Sequence, residues 1–188
     1  MAYLNLASIR FCTESEGPGK RLAIWVQGCE RRCPGCCNTH MQAFKQNIIV
    51  DTSDLIGLLE DEMKKNDIEG LSFIGGEPML QSEGLCEIAK WAKEQGLTVL
   101  IFTGYLLDEL KQLDNAHVND LLSYTDLLVD GPYVQELYDS ERDWIGSTNQ
   151  CVHFLSTAYE EGIEYKNSEH KMEVLVSEKD ILVNGWPY

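Results

Sequence analysis

Four of the chain's seven cysteines crowd into nine residues, and three of them, Cys29, Cys33 and Cys36, form a C-x3-C-x2-C run. Three thiolates at these spacings can wrap one face of an iron–sulfur cubane and leave one iron without a protein ligand, open to a small bidentate molecule. The same run with His40 gives C-x3-C-x2-C-x3-H, a set that could close a tetrahedral structural zinc site, and Cys37 could replace Cys36 as third ligand. A disulfide framework would spread its cysteines to close loops and would need an oxidising compartment, so tight clustering reads as metal or redox chemistry. Cys12, Cys86 and Cys151 stand apart, and a structural role is expected for each.

The elements that must position these thiols follow from apolar runs and their punctuation. Leu22–Val26 is a short apolar run between Gly17-Pro18-Gly19 and Gly28, which suits a buried strand that delivers the cysteine loop. A helix is predicted from Asp51 to Lys65, with Asp51, Thr52 or Ser53 as N-cap. Strands are predicted at Leu71–Ile74, Leu97–Phe102 and Asp126–Asp130, with a helix from about Ser82 that Gly96 ends. Helical stretches follow at Leu106–Leu113 and Val118–Tyr124, and Pro132 suits the first turn of another short helix. Cys151–Leu155, Met172–Val176 and Ile181–Val183 read as further strands.

Strands alternating with helices imply βαβ units and a mainly parallel sheet. In such folds the loops after the strands' carboxyl ends gather on one edge and build the site. Each predicted strand here ends in a pointed segment: Gly28-Cys29, then Gly75-Gly76-Glu77-Pro78, then Thr103-Gly104, then Asp130-Gly131. Gly75-Gly76 admits a close approach of ligand and backbone, Glu77 offers an acceptor for an ammonium group, and Pro78 fixes the exit of the loop. Thr103 and Gly104 could hold a carboxylate or a ribose, or Thr103 could simply cap a turn. Asp130 could bond a ribose hydroxyl or sit in an ordinary Asp-Gly-Pro turn. A structural zinc would not need the glycine-rich loop one βα unit later, which favours iron–sulfur.

The cysteine run followed by Gly-Gly-Glu-Pro resembles the radical S-adenosylmethionine (SAM) superfamily. The finer likeness is to the short activating enzymes of glycyl-radical proteins, the activators of anaerobic ribonucleotide reductase. It is carried by Glu16–Arg21, Val26–Cys29, Cys33–Cys36 with Asn38, Leu128–Tyr133 and Trp144–Gln150, and weakly by Asn184–Pro187. The resemblance implies a [4Fe-4S] cluster on Cys29, Cys33 and Cys36, with SAM held by Asn38, Gly75, Gly76, Glu77, Pro78, Thr103, Gly104 and Asp130. It implies an electron from a flavodoxin or ferredoxin, reductive cleavage of SAM to a 5′-deoxyadenosyl radical, and hydrogen abstraction from a glycine of a large glycyl-radical partner. The residue before the third cysteine, aromatic in much of the superfamily, is Gly35, which suits the activator group.

The bulk numbers fit one α/β domain over residues 1–188, expected as a partial (β/α) barrel with a mainly parallel sheet of about five or six strands. At −16 the chain repels phosphate backbones, so no nucleic-acid partner is expected. No apolar run reaches the ~20 residues that span a bilayer, and Met1–Leu6 is not a secretory signal. A cytoplasmic location is therefore expected. Two rivals remain: a stand-alone radical SAM enzyme modifying a peptide, nucleotide or metabolite, and a zinc-stabilised interaction module.

Overall fold

Each sheet strand places one set of side chains under helices and the other on an open face, and this alternation organises the protein. The computed structural model describes residues 2–166, 171–176 and 181–185. In chain order the elements are β1 (Tyr3–Thr13), β2 (Arg21–Val26), β3 (Ile48–Asp51), α1 (Thr52–Asn66), β4 (Gly70–Gly75), α2 (Ser82–Glu94) and β5 (Thr98–Phe102). There follow α3 (Leu107–Gln112), α4 (Ala116–Ser123), β6 (Leu127–Asp130), β7 (Cys151–Phe154), β8 (Met172–Val176) and β9 (Ile181–Gly185).

Seven strands form one sheet in the order β3-β1-β2-β4-β5-β6-β7, and β8 and β9 make a separate antiparallel pair. The pairings β2–β4, β4–β5 and β5–β6 are parallel. β1 and β3 on one side and β7 on the other add antiparallel edges. The parallel centre matches the expectation; the strand count exceeds it because β1 and β3 were not foreseen. β1 is hidden by a register shift between Leu6 and Ser8. Before it Leu4 and Leu6 face the helices; after it Ile9 and Phe11 do, so simple alternation breaks. β3 is only Ile48–Asp51 and half-exposed at the sheet's edge.

Leu22, Ile24 and Val26 of β2, Leu71 and Phe73 of β4, and Val99 and Ile101 of β5 pack under the helices with Leu55, Leu85, Ile88 and Leu121. Burying side chains such as Ile24, Phe73 and Ile101, each at 0% exposure, contributes ~1.5–3 kcal/mol apiece. The opposite face carries two small clusters, Ala23, Trp25, Met41 and Ile74 in one, Leu100, Leu127, Val129 and Ile145 in the other.

The helix ends follow local chemistry. The Asp51 carboxylate accepts from the Ser53 amide at 2.8 Å, settling which of the three candidates caps α1. Gly96, at φ +78°, closes α2 with the Gly96 amide on the Lys93 carbonyl and the Leu97 amide on the Ala92 carbonyl, a Schellman end. Pro132 begins no helix; the nearest turn is a 3-10 turn at Gln135–Leu137. Arg21, fully buried at the start of β2, donates to the Ser72 hydroxyl at 2.7 Å and to Pro18 O, Thr98 Oγ1 and the Tyr159 hydroxyl. It ties the Gly17–Gly19 turn to the bottom of the sheet, opposite the cysteine edge. Among the described residues no helix is long and apolar enough to cross a membrane.

Candidate active site

Because β2, β4, β5 and β6 run parallel, Gly28-Cys29, Gly75–Pro78, Thr103-Gly104 and Asp130-Gly131 all leave the sheet at the same edge. The cysteine loop is closed at its base by its own backbone. Gly28 N–H donates to Met41 O at 2.8 Å and Cys29 N–H to Gln42 O at 3.0 Å. The Gln27 amide donates to Met41 O and Ala43 O and accepts from Asn47, so the chain returns beside the strand it left.

Within the loop Cys29 is buried, Cys33 and Cys36 are half-buried, Cys37 is exposed, and all seven thiols of the chain are free. Burial raises the Cys29 thiol, and the Arg32 and Arg31 amides oppose that by donating to its sulfur. A hydrogen bond from Cys37 lowers Cys36 to about 6 against the cost of burial, and the same contact raises Cys37. Asn38 N–H also points at Cys36 Sγ, 3.4 Å away. Backbone donors therefore converge on two of the three sulfurs, an environment suited to thiolates. Among the described residues no three His, Cys, Asp or Glu side chains stand close enough to hold one metal ion. Three cysteines on one loop, with backbone N–H groups aimed at two of their sulfurs, fit the thiolate ligands of an iron–sulfur cluster.

Glu77 is the hub of the second loop. At 1% exposure, its Oε1 accepts from Met79 N–H at 3.0 Å and from the Thr103 hydroxyl at 2.7 Å, and its Oε2 from Gly104 N–H at 2.8 Å. Burial raises its pKa, against these three donors and the nearby Arg31 charge. Thr103 in turn accepts from Tyr105 N–H at 3.1 Å. Three residues singled out separately in the sequence are thus one interlocked unit joining the ends of β4 and β5. A carboxylate has about four acceptor sites, and Glu77 keeps one free on Oε2.

The two glycines before Glu77 serve a backbone contact. Gly76 N–H donates to Val26 O and Glu77 N–H to Gly28 O, both at 2.8 Å. A Cβ on Gly76 would lie 2.2 Å from Gly28 O. Gly75 sits at φ +105°, where only glycine is unstrained. What approaches closely here is the end of β2, so the pair locks Glu77 beside Cys29. Pro78 is buried at the first position of the 3-10 turn Pro78–Gln81 that leads into α2.

Sequence spacing did not single out the strut across the cysteine loop. The Arg31 guanidinium lies 3.8 Å from the Tyr105 ring centroid and bridges Glu109 at 2.8 Å. The Tyr105 hydroxyl bonds Glu30; burial and that bond push Tyr105 to about 12. The only sequence clue was a pair of cations between cysteines with an aromatic after Thr103-Gly104. Gln135 lies against Gly35, where a Cβ would meet its side chain at 2.4 Å.

Asp130 is buried at 4% exposure and turned to scaffolding: it accepts from Leu107 N–H at 2.7 Å and lies 2.8 Å from His153 Nε2. It fixes α3 and β7 against the end of β6. The Trp144–Gln150 segment is self-braced, with Gln150 Oε1 accepting from the amides of Gly146 and Ser147 and Asn149 donating to Pro132 O. Of the weak likeness at Asn184–Pro187, Trp186 and Pro187 lie outside the described residues.

These loops enclose a cavity of about 600 Å³. Cys29, Cys33, Cys36, Asn38, Gly75, Gly76, Glu77, Thr103 and Gly104 all line it; Pro78 and Asp130 are not part of the wall. Trp25, Phe102, Tyr133 and Trp144 supply its aromatic surface. A cavity this size, largely apolar with a few convergent polar groups, suits a nucleoside-sized ligand.

Residues 15–153 match a family model described as a 4Fe-4S single cluster domain. The chain is 33% identical over 144 residues to the anaerobic ribonucleoside-triphosphate reductase-activating protein of Haemophilus influenzae, covering 73% of this chain and 89% of that one. It is 34% identical over 154 residues to the protein of the same name from Escherichia coli K12, covering 74% and 91%. The crystal structure of QueE from Escherichia coli is similar over 54% of this chain and 53% of that chain, with 18% identity and a TM-score of 0.45. The family model and the two activating proteins place the chain: it belongs to the family of anaerobic ribonucleoside-triphosphate reductase-activating proteins, built on a 4Fe-4S single cluster domain.

Proposed function

We propose that the chain is a radical SAM activase that generates a glycyl radical in an anaerobic ribonucleoside-triphosphate reductase, with Cys29, Cys33 and Cys36 holding a [4Fe-4S] cluster. The observation that carries this is the meeting of the three thiols with Glu77, Thr103 and Gly104 on one cavity, delivered by three neighbouring parallel strands. When bound, the cluster supplies the electron that cleaves SAM reductively to the 5′-deoxyadenosyl radical, which takes a hydrogen atom from a partner glycine. A flavodoxin or ferredoxin is the expected source of that electron.

The chain's own residues position the reactants. Glu77 keeps one acceptor site toward the cavity for the ammonium of SAM, and its burial makes an ion pair there strong. Arg31, braced by Tyr105 and Glu109, packs over Gly104 and keeps the cysteine loop against the end of β5. Asn38 joins the Cys36 side of the wall. Gly75 and Gly76 act through backbone placement, and Pro78 and Asp130 hold the loops from behind. We read the sheet as a single-domain partial (β/α) barrel whose open side receives the partner. Seven free cysteines and an oxygen-sensitive cluster support a cytoplasmic location.

The test is anaerobic reconstitution. About four irons per chain and dithionite-driven release of 5′-deoxyadenosine from SAM are expected, with a glycyl radical seen by electron paramagnetic resonance once the reductase is added. Cys29→Ala, Cys33→Ala and Cys36→Ala abolish SAM cleavage, whereas Cys37→Ala retains it. Zinc without iron ends the proposal, and activity in Cys36→Ala with loss in Cys37→Ala reassigns the third ligand.

A further inference from the structure

Among the described residues two arginines reach the cavity, and each holds a buried Nε–H without a hydrogen-bond partner. Arg31 is otherwise committed, with its Nη2 on Glu109 at 2.8 Å and its guanidinium against Tyr105. Arg10 is not. Its Nη1 donates backward, to Ile9 O at 3.1 Å and toward Ser8 Oγ at 3.5 Å, while Nη2 donates to none of the described residues. The Nε–Nη2 edge is the one with which a planar guanidinium grips an oxygen through two parallel N–H groups. In Arg10 that edge is free among the described residues, and the contacts of Nη1 hold the fork in place.

The strand decides where that edge stands. Ile9 and Phe11 pack under the helices, so Arg10 projects from the opposite, open face of β1. β1 begins at the cysteine edge and runs away from it, and Arg10 pairs with Ala23, three residues before Val26. It thus stands roughly 10 Å below the edge where the cysteine loop leaves β2. The cavity runs that far and further, to Ser15 and Glu16 beyond the end of β1. Arg31 lies at the cysteine end, against Gly104 and near enough to Glu77 to act on its carboxyl. A ligand whose ammonium is taken by Glu77 therefore meets Arg31, not Arg10, with its carboxylate.

We propose that Arg10 is the positioning residue for the glycine-bearing segment of the reductase, its Nε–Nη2 edge gripping a peptide carbonyl beside that glycine at the inner end of the cavity. This rests on the activase reading above and names the group that reading needs. A glycine has no side chain to hold, so the segment that carries it is placed through its peptide groups. One carbonyl oxygen has two lone pairs and accepts both N–H groups of the edge. A buried N–H without a partner is costly, and the incoming carbonyl relieves that cost only in the bound state. The step so served is one hydrogen-atom transfer: the glycine Cα–H bond breaks, a C5′–H bond forms, and the unpaired electron passes from C5′ to Cα.

Arg10→Ala and Arg10→Lys are compared with wild type as reconstituted holoenzymes whose thermal melts show them folded. SAM affinity is read by equilibrium dialysis. Glycyl radical is counted by electron paramagnetic resonance per 5′-deoxyadenosine released, on reductase carrying deuterated glycine, so that label in the nucleoside reports where its hydrogen came from. The expected result is a fall of about tenfold or more in radical and label per 5′-deoxyadenosine in both variants, with SAM affinity held. Arg10→Lys fails with Arg10→Ala because it keeps the charge without the edge, and ethylguanidinium, but not ethylammonium, restores the ratio in Arg10→Ala. A wild-type ratio in either variant overturns the proposal while leaving the activase reading intact, as does equal rescue by the two cations. Tenfold weaker SAM binding in Arg10→Ala overturns it in favour of a contact to the carboxylate of SAM. If Arg10→Ala does not fold, Arg10→Lys decides the matter by the same ratio. Failure of wild type itself to cleave SAM sinks the activase reading instead.

Discussion

The contact between Gly76 and Gly28 makes the strongest quantitative demand on the structure. In Gly76→Ala the new Cβ falls 2.2 Å from Gly28 O, 2.7 Å from Gly28 C and 2.9 Å from Gly28 N, all backbone atoms that no rotamer change can move. Relief requires the ends of β2 and β4 to part by roughly an ångström, which strains or breaks the Gly76–Val26 and Glu77–Gly28 hydrogen bonds. Overpacking of this kind costs ~1–3 kcal/mol, and each lost bond about 1 kcal/mol more. A total near 3 kcal/mol lowers the melting temperature of a chain this size by about 6–12 °C. Function should suffer beyond stability, because Cys29 follows Gly28 and Glu77 follows Gly76. A shift of about 1 Å between reacting groups can cost ~100-fold in rate. The assay pairs thermal melts with 5′-deoxyadenosine release at a temperature where the variant remains folded. Gly57→Ala is the control: nothing lies within 4 Å of its added Cβ in the middle of α1, so it should gain ~0.5–1 kcal/mol. A Gly76→Ala protein that melts and cleaves SAM like wild type would falsify the backbone-contact account of the glycine pair.

Two further outcomes probe the polar network. Thr103→Val removes the donor to Glu77 and the acceptor for Tyr105 N–H, costing ~1–3 kcal/mol and weakening SAM binding in equilibrium dialysis, whereas Thr103→Ser stays near wild type. Glu16 is raised from 4.5 to about 7, by burial first, against its bonds from Gly185 and Asn184. The folded carboxyl keeps its proton where the unfolded chain has lost it. Its contribution is therefore full below about pH 4.5 and is lost as pH rises through 7, on the order of 3 kcal/mol in all. Urea unfolding from pH 5 to 8 should show this decline in wild type and a flatter profile in Glu16→Gln; identical slopes refute it.

The strands that build the site were legible because each carries both signals a buried parallel strand needs. Leu22–Val26 is an unbroken apolar run, Leu97–Phe102 is interrupted only by Thr98, and a glycine follows each within two residues. β1 was illegible for the converse reason: the register shift after Leu6 changes which parity faces the helices, and eleven residues then match no single period. The candidate site was legible in its members but not in their mutual bonding. Glu77, Thr103 and Gly104 are 26 and 27 residues apart, and no periodicity reports that one carboxylate takes donors from the next strand's end.

The same limit explains Arg31, Tyr105 and Glu109. Each is an ordinary surface residue alone, and the three become a strut only because parallel pairing of β2, β4 and β5 brings their loops to one edge. Sequence spacing identifies the groups that can do chemistry, while the fold decides which of them are spent on one another. Here most of Glu77's hydrogen-bonding capacity and Asp130's fixed contacts go to holding loops. What still faces the cavity includes the remaining acceptor capacity of Glu77, the thiols, Asn38, Arg10 and an aromatic wall. That set, rather than the motif list, describes what this protein can bind.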